Sequence, residues 1–348
     1  MSARILNLAG ACAALATAAF TWLALPKASP PEPLPSRIRC VLDVRRHNDT
    51  TGFFVCGYNY ELLRRCGADL GIEVEIGASR KGESSLDSLR AGAYDLVVQG
   101  WPENTVPDSL LVSGHIDSLA VWIVRSDSAR LLSEMETWVD EYLESAVYPT
   151  LHSRYRATFN DPFTAASYGR RRDHLSPYDS IIRVHSSEIG WDWRLLSALI
   201  YQESRFRIDL QSPKGAEGLM QMTPSTADRY ELDNLLDPEI NIATGVRHIA
   251  RLQRLLRRRV NSPRELEKVV MAAYNAGEGH IRDCFYYADW KGVNDSTWAG
   301  LCAVMPALAD STILQVDTVK CGLFHVDETI SYVERIGELY DAFCTICP

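Results

Sequence analysis

The chain has 348 residues and a formal net charge of −9 at pH 7, from 36 basic and 45 acidic residues. Its composition is 46% hydrophobic and 23% charged, which excludes a collagen, a coiled coil and a chain that is disordered throughout. A chain of this length is typical of about two domains. Because the net charge is acidic, there is no general electrostatic attraction to DNA or RNA, and we expect no nucleic-acid partner.

The N-terminal region holds a long segment without charged residues. Residues 5–25 (ILNLAGACAALATAAFTWLAL) carry no charge and are flanked by Arg4 and Lys27. A helix of this length spans the ~30 Å hydrocarbon core of a bilayer. We therefore interpret residues 1–25 as a membrane anchor, with a cleaved secretory signal as the alternative. A lipidation site at Cys12 is a third interpretation, which the apolar residues after it disfavour. Each of the three exports the rest of the chain.

Eight cysteines follow the apolar segment, and an even number of them in an oxidising compartment predicts disulfides whose pairing the sequence does not define. Cys344 and Cys347 form a C-x-x-C pair. A zinc site needs a second pair of ligands at suitable spacing, and none accompanies this one. We therefore predict no metal and favour a structural disulfide among these eight residues: Cys40, Cys56, Cys66, Cys284, Cys302, Cys321, Cys344 and Cys347.

A proline-rich spacer at residues 26–37 is predicted to be extended and precedes the first folded region, residues 38–145. In this region short apolar runs alternate with helical periods, which is typical of an α/β unit. The predicted strands are residues 38–44, 72–76, 94–98 and 120–124, and the predicted helices are residues 60–71, 85–91 and 131–143. Residues 146–177 are predicted to be a linker with aromatic anchors such as Tyr155.

Three blocks of this region resemble the first lobe of the periplasmic solute-binding domains of family 3: residues 57–62, 70–74 and 89–96. In that family a second lobe is inserted, whereas here residues 122–125 lead directly into the helix predicted at 131–143. A clamshell buries its ligand between two lobes. We therefore expect a single-lobe module that packs or docks a cell-wall protein partner, with ligand sensing as the alternative.

The sequence beyond Ser176 is predicted to be mainly helical. In residues 191–206, one helical stripe carries Leu196, Leu199, Ile200 and Glu203 at i, i+3, i+4 and i+7. A carboxylate on an apolar stripe is costly to bury as an anion, so the pKa of Glu203 is expected to lie above that of a solvated glutamate. Such a group suits a general acid. The alternative is a glutamate at the edge of the stripe that reaches solvent or caps a neighbouring element.

Glu203 and Ser204 are followed by four more blocks in a fixed order: GLMQMTP at 218–224, DPEINI at 237–242, AAYNAG at 272–277 and ETISYV at 328–333. Together the blocks resemble the family 1 lytic transglycosylases, lysozyme-like enzymes that cleave the glycan strands of peptidoglycan. The resemblance covers about residues 178–343 and implies a helical lysozyme-like domain at 178–348. The predicted fold class of the chain is therefore α/β followed by mainly α.

The resemblance implies a role for each block. Glu203 would protonate the bond between N-acetylmuramic acid and N-acetylglucosamine and then deprotonate the muramyl 6-hydroxyl, which leaves a 1,6-anhydromuramyl end. The implied substrate contacts are Ser204, Gly218, Leu219, Met220, Gln221, Tyr274, Asn275, Glu328 and Tyr332. Glycine permits close approach of a sugar, and amide and phenol groups suit an N-acetyl substituent. The alternatives are packing roles: a core position for Leu219 and Met220, a turn at Asn275, and a bracing role for Glu328.

The predicted function is that of a lyase, a peptidoglycan lytic transglycosylase that needs no metal or organic cofactor. A hydrolytic muramidase on the same fold and a non-catalytic scaffold that binds peptidoglycan are the alternatives. The expected partners are glycan strands and the membrane, and the expected location is the periplasm, with the chain anchored by its N-terminal segment. The helix predicted at residues 247–260 has a basic face, for which a solvated surface is favoured over a contact with anionic polymer or lipid: Arg247, Arg251, Arg254 and Arg258.

Overall fold

The computed structural model of the chain describes residues 33–43, 55–79, 82–100, 106–114, 116, 120–157, 174–232, 234–260, 262–293, 296–310, 319–323 and 325–348. Ser36–Pro348 form one compact unit. The anchor predicted at residues 1–25 lies outside the described residues, as does most of the predicted spacer. Among the helices of the described part, none is both long and apolar enough to cross a membrane.

A five-stranded mixed sheet forms the first part of this unit. Its strands are β1 (Arg37–Asp43), β2 (Glu73–Ala78), β3 (Leu96–Gly100), β4 (Leu110–Val112) and β5 (Ala120–Arg125). They lie in the order β2-β1-β3-β5-β4, with β1 parallel to β2 and β3 and with β5 antiparallel to β3 and β4. Leu96–Val98 of β3 and Ala120–Val124 of β5 are buried at every position, which is typical of a sheet that is covered on both faces. The four predicted strands are confirmed, and the three-residue β4 is an addition.

Four helices accompany the sheet: α1 (Val55–Leu70), α2 (Ser85–Arg90), α3 (Ala129–Glu144) and α4 (Tyr148–Ala157). α4 lies inside the segment predicted as a linker. Leu151 and Tyr155 are buried one helical turn apart, so this segment covers apolar surface as a helix does. The anchoring expected of Tyr155 is present, because its ring packs against Tyr58 at 5.8 Å and its hydroxyl donates to Glu61 Oε2 at 3.0 Å.

The second part of the unit is helical: α5 (Asp179–Glu188), α6 (Trp193–Ser204), α7 (Pro224–Arg229), α8 (Pro238–Leu256), α9 (Pro263–Ala276), α10 (Glu278–Lys291), α11 (Trp298–Val304) and α12 (Val326–Ile346). Asp192 and Asp237 cap α6 and α8 by accepting backbone N–H groups of the first turn. The apolar stripe predicted for α6 is confirmed, since Leu196, Leu199 and Ile200 are fully buried. An α/β region followed by a mainly helical region confirms the predicted fold class.

The eight cysteines beyond the apolar segment are all in the described part of the chain, and none of them forms a disulfide. The disulfides predicted from their even number are therefore not found among these residues. Cys344 lies in the last turn of α12 and Cys347 follows it, where the Cys347 carbonyl accepts a hydrogen bond from Arg194 Nη1 at 3.1 Å. This end of α12 is held to the start of α6 by hydrogen bonding rather than by a covalent link.

Candidate active site

Glu203 lies in the last turn of α6, where the chain changes direction sharply. Arg205 and Phe206 both take positive φ angles, 53° and 62°, directly after the helix. Each such residue costs on the order of 1 kcal/mol, because a Cβ crowds the left-handed backbone. The fully buried Phe206 offsets this cost by packing against the Tyr201 ring at 5.7 Å. The strained turn therefore fixes the end of α6, and with it the position of Glu203.

The Glu203 carboxyl group is half-buried and faces a phenol group of α12. Tyr332, which is buried, donates a hydrogen bond from its hydroxyl to Glu203 Oε1. Burial raises the pKa of Glu203 to about 7, and the Tyr332 hydrogen bond opposes part of that rise. A carboxyl group with this pKa exchanges its proton near neutral pH, which is what alternating acid and base steps require.

A tight turn at residues 217–222 carries the GLMQ block. Glu217 and Met222 exchange two backbone hydrogen bonds, at 3.0 and 2.9 Å. Gly218 has a φ of 77°, and a Cβ at this position would lie 2.1 Å from Asn241 Nδ2. Glycine is therefore required by contact within the protein, whereas the sequence had suggested close approach of a sugar. Leu219 and Met220 are fully buried, which favours their core interpretation.

Two further side chains connect this turn to its surroundings. Tyr274 donates its hydroxyl hydrogen to the Met220 carbonyl at 2.7 Å, and the charge of Glu203 helps raise the pKa of Tyr274, after the larger effect of burial. Tyr274 thus contacts the turn and is close enough to the carboxyl group to respond to its charge. Gln221 donates from Nε2 to the carbonyls of Leu210 and Gly218, both at 3.0 Å. Its amide oxygen has no hydrogen-bond donor within the described residues.

The remaining predicted contacts differ in their surroundings. Asn275 is exposed and accepts a hydrogen bond from the Thr329 hydroxyl at 3.0 Å, so its amide N–H groups stay available. Ser204 is buried and donates to the Ile200 carbonyl at 3.1 Å, which commits its hydroxyl to its own helix. Glu328 is exposed and forms no ion pair or hydrogen bond among the described residues. The structure therefore groups Glu203 with Tyr332, Tyr274 and the turn, and leaves Glu328 apart.

Asn241 is a site residue that the sequence did not identify. It is fully buried in α8, its Oδ1 accepts from the Met220 N–H at 2.8 Å, and its Nδ2 donates to the Leu235 carbonyl at 2.8 Å. These bonds provide hydrogen-bond partners for polar groups of a turn that forms few backbone hydrogen bonds of its own. The available signal was an asparagine within the apolar stripe of the DPEINI block, where a buried amide needs specific partners.

Comparison with known proteins identifies the family that this region resembles. Residues 180–297 match the family model of the transglycosylase SLT domain. These residues are therefore similar to the transglycosylase SLT domain. This match confirms the resemblance to lytic transglycosylases that the ordered blocks indicate. Glu203, the turn and Tyr274 lie within the matched residues of the SLT domain, and Tyr332 lies beyond them.

Two curated relatives of the chain carry the name membrane-bound lytic murein transglycosylase F. The relative from Desulfosudis oleivorans is 31% identical over 223 residues, which are 63% of this chain and 48% of that protein. The relative from Alcanivorax borkumensis is 31% identical over 265 residues, which are 75% of this chain and 55% of that protein. The chain therefore spans about half the length of the curated relatives it matches.

Two solved structures are also similar to the chain. The lytic transglycosylase Slt from Pseudomonas aeruginosa has 19% identity and a TM-score of 0.36, and the match covers 64% of this chain and 34% of that one. The 70-kDa soluble lytic transglycosylase Slt70 from Escherichia coli has 21% identity and a TM-score of 0.34, and the match covers 62% of this chain and 34% of that one.

Proposed function

We propose that the SLT domain is a lytic transglycosylase that cleaves the glycan strands of peptidoglycan, with Glu203 as general acid and then general base. The observation that carries the proposal is the half-buried Glu203 carboxyl group, hydrogen-bonded by Tyr332 and with a pKa of about 7. The family match at residues 180–297 and the names of the curated relatives support the same activity.

In the first step, protonated Glu203 donates its proton to the oxygen that links N-acetylmuramic acid to N-acetylglucosamine. The bond from this oxygen to the muramyl C1 breaks, and the N-acetylglucosamine leaves with the donated proton as a 4-hydroxyl group. The acetamido carbonyl oxygen of the muramyl sugar bonds to C1 and stabilises the positive charge that develops there. This role for the substrate replaces the second carboxylate that many glycosidases use.

In the second step, the Glu203 carboxylate accepts the proton of the muramyl 6-hydroxyl. The oxygen of that hydroxyl bonds to C1 and displaces the acetamido oxygen, which gives the 1,6-anhydro ring. Glu203 ends the cycle protonated, and no water is consumed. Tyr332 donates a hydrogen bond that stabilises the anionic form of Glu203 between the two steps, because a hydrogen bond to a carboxylate favours its charged form.

The other side chains have positioning and binding roles in this proposal. Tyr274 and Asn241 hold the turn at residues 217–222 beside the carboxyl group. The amide oxygen of Gln221 and the amide N–H groups of Asn275 are available to bind the acetamido groups of the sugars. Ser204, Leu219 and Met220 support the site through packing, since their polar or apolar groups are already buried.

The test is mass spectrometry of the products released from purified peptidoglycan by the full chain and by a Glu203→Gln variant. We expect anhydromuramyl ends, which are lighter than hydrolysed ends by one water molecule, and a rate that is lower in the variant by a factor of about 100 or more. Glu267→Gln is the matched control, because Glu267 in α9 is a second half-buried glutamate whose pKa is raised by burial. This control should retain the parental rate.

The same measurement separates the alternatives. Reducing muramyl ends in place of anhydro ends would identify a hydrolytic muramidase. Binding of peptidoglycan without released products would identify a scaffold. Release of fragments by Glu203→Gln at the parental rate would show that another group donates the proton.

We infer that residues 1–25 anchor the exported chain in the periplasm, as the name of the membrane-bound relatives suggests. Residues 26–37 would serve as the spacer. Residues 38–145 would act as a packing module for the SLT domain, with a cell-wall protein as the partner that docks on it. The hydrogen bond from the Tyr60 hydroxyl to Asp237 Oδ2, at 2.9 Å, supports the packing role, because Asp237 caps the helix that holds the turn.

A further inference from the structure

A cavity of about 500 Å³ lies beside α8, between that helix and the ends of α5 and α7. Four arginines line it: Arg229, Arg247, Arg251 and Arg254. Three of them belong to the basic face of α8, for which the sequence favoured a solvated surface. In the structure Arg247 and Arg254 are exposed, and they also line this concave site.

The cavity has an excess of positive charge that the protein itself does not neutralise. Arg251 is committed to Glu278, which it contacts through both of its terminal nitrogens. The one lining carboxylate, Glu188, is engaged by His185 Nδ1 at 2.8 Å. Arg229, Arg247 and Arg254 are exposed and form no ion pair or hydrogen bond with any residue that the structure describes. Three guanidinium groups therefore remain available to an anionic ligand.

The wall between the arginines is apolar. Ile189 and Val246 are buried beneath the cavity, and the Tyr230 ring forms one side of it. A ligand that fills this space therefore combines anionic groups with short alkyl groups. A simple phosphate polymer would use the arginines and leave the apolar wall unused.

The cavity is connected to the candidate active site through two aromatic contacts. The Tyr230 ring packs edge-on against His248 at 6.3 Å, and His248 packs edge-on against Tyr274 at 5.7 Å. The Tyr274 ring is in turn close enough to Glu203 for the charge of that carboxyl group to raise the pKa of the phenol. A residue of extended peptide spans about 3.5 Å, so a peptide of four residues spans about 14 Å and is long enough to reach from Tyr274 to Tyr230.

We propose that this cavity binds the carboxylate-bearing peptide that a muramyl sugar carries, and so selects glycan strands that still have their peptides. This inference rests on the proposed function, because it takes the ligand to be part of the same substrate. Arginine suits the ligand, since its planar fork pairs with a carboxylate through two hydrogen bonds. The methyl groups of alanine residues in such a peptide match the wall of Ile189 and Val246.

The test measures affinity without turnover, using the full chain with Glu203→Gln as the background. Two ligands are compared by calorimetry: an N-acetylglucosamine–N-acetylmuramic acid disaccharide with its peptide, and the same disaccharide without it. We expect the double substitution Arg247→Gln with Arg254→Gln to weaken binding of the peptide-bearing ligand about tenfold or more, and to leave the peptide-free ligand unaffected. The control is Arg258→Gln, which removes one exposed positive charge just beyond α8, outside the cavity lining, and should change neither affinity.

The inference is overturned if the double substitution leaves both affinities unchanged, if it weakens both ligands equally, or if Arg258→Gln has the same effect. It is also overturned if inorganic phosphate binds to the cavity arginines and the peptide-bearing ligand does not. Because no cleavage is measured, these results are independent of the product analysis. A chain that releases no anhydro products but shows the selective loss of affinity would contradict the proposed function alone.

Discussion

At the scale of single residues, two opposing effects determine the acidity of Glu203. Burial at the end of α6 disfavours the carboxylate, whereas the hydrogen bond from Tyr332 favours it, and burial is the larger effect. Without burial the group would be ionised near neutral pH and could not act as an acid. Without the hydrogen bond it would hold its proton too firmly to act as a base in the second step.

This balance predicts a pH dependence. Since the first step needs protonated Glu203, kcat/KM of the parental chain should fall as the pH rises through about 7. Tyr332→Phe removes the hydrogen bond that lowers the pKa, so the pKa rises and the alkaline decline should move to higher pH. A hydrogen bond to a charged group contributes about 1.5–3 kcal/mol, which corresponds to a movement of about one to two pH units. The maximal rate should fall as well, because the carboxyl group loses its orienting partner.

A second tyrosine in α12 provides the control for this pH profile. Tyr340 donates to Asp192 Oδ2 at 3.3 Å, at the other end of α6 from Glu203. Tyr340→Phe is therefore the same substitution in the same helix without the Glu203 contact, and its profile should match that of the parental chain. A decline at unchanged pH in Tyr332→Phe would show that Tyr332 does not control the acidity of Glu203.

Part of this arrangement could be predicted from the sequence, and the physical reasons differ from residue to residue. The position of Glu203 could be predicted because helical periodicity places it on a stripe with Leu196 and Leu199. Both leucines are buried. The role of Asn241 could not be predicted, because its partner Met220 lies 21 residues away and only the packing of α8 against the turn brings them together. The crowding at Gly218 could not be predicted for the same reason, because it comes from Asn241, which is distant in sequence. Short-range patterns carry no information on such contacts.

At the scale of elements, the turn at residues 217–222 depends on its neighbours for its shape. Asn241 of α8 and Tyr274 of α9 hydrogen-bond to the backbone of the same residue, Met220, and Asn241 also occupies the space where a Cβ of Gly218 would lie. Two helices, α8 and α9, therefore hold the turn in place. A change that displaces it should affect the site without directly altering Glu203.

Two glycines that are close in sequence allow the effect of crowding by Asn241 to be separated from the effect of a positive φ angle. Gly218 and Gly215 have nearly equal φ angles, 77° and 79°, but an added Cβ lies 2.1 Å from Asn241 at Gly218 and no closer than 3.4 Å to any atom at Gly215. Gly215→Ala should cost about 1 kcal/mol, from the backbone alone. Gly218→Ala should cost about 1–3 kcal/mol more, from overpacking, and should lower kcat/KM. Urea unfolding at a fixed pH gives both values, and equal losses in the two variants would contradict the packing argument.

The elements themselves were predictable to differing degrees. The apolar runs of β3 and β5, the alternation of charged and apolar residues at the start of β1 and the periodic stripe of α6 gave correct assignments, since burial on both faces or on one face leaves a clear pattern. β4 has only three residues, too few for alternation to be detected. α4 contains Pro149 and a mixture of polar residues, and its helical state reflects the packing of Leu151 and Tyr155 rather than a strong local pattern.

At the scale of the whole molecule, α1 joins the sheet to the helical region. Asn59 accepts a hydrogen bond from Trp122 Nε1 of β5 at 3.2 Å, and Tyr60, the next residue, donates to Asp237 at the start of α8. Gly57, one turn earlier, leaves room for Tyr155 and Tyr178. Three positions of one helical segment thus contact both parts of the compact unit, which explains why the sheet and the helices form one unit.

This arrangement predicts that the two parts unfold together. An alanine Cβ at Gly57 would lie 2.5 Å from the Tyr178 hydroxyl and 2.9 Å from Tyr155, and both rings are buried, so Gly57→Ala should destabilise the unit by about 1–2 kcal/mol. Gly337 is a matched control in α12: nothing lies within 4 Å of its Cβ position, so Gly337→Ala should stabilise the protein by up to about 1 kcal/mol through helix propensity. In calorimetry both variants should show one transition, moved down by the first and up by the second, because contacts through α1 couple the sheet to the helices. Two separate transitions, with Gly57→Ala affecting the lower one alone, would mean that the sheet region folds and unfolds independently of the helical region.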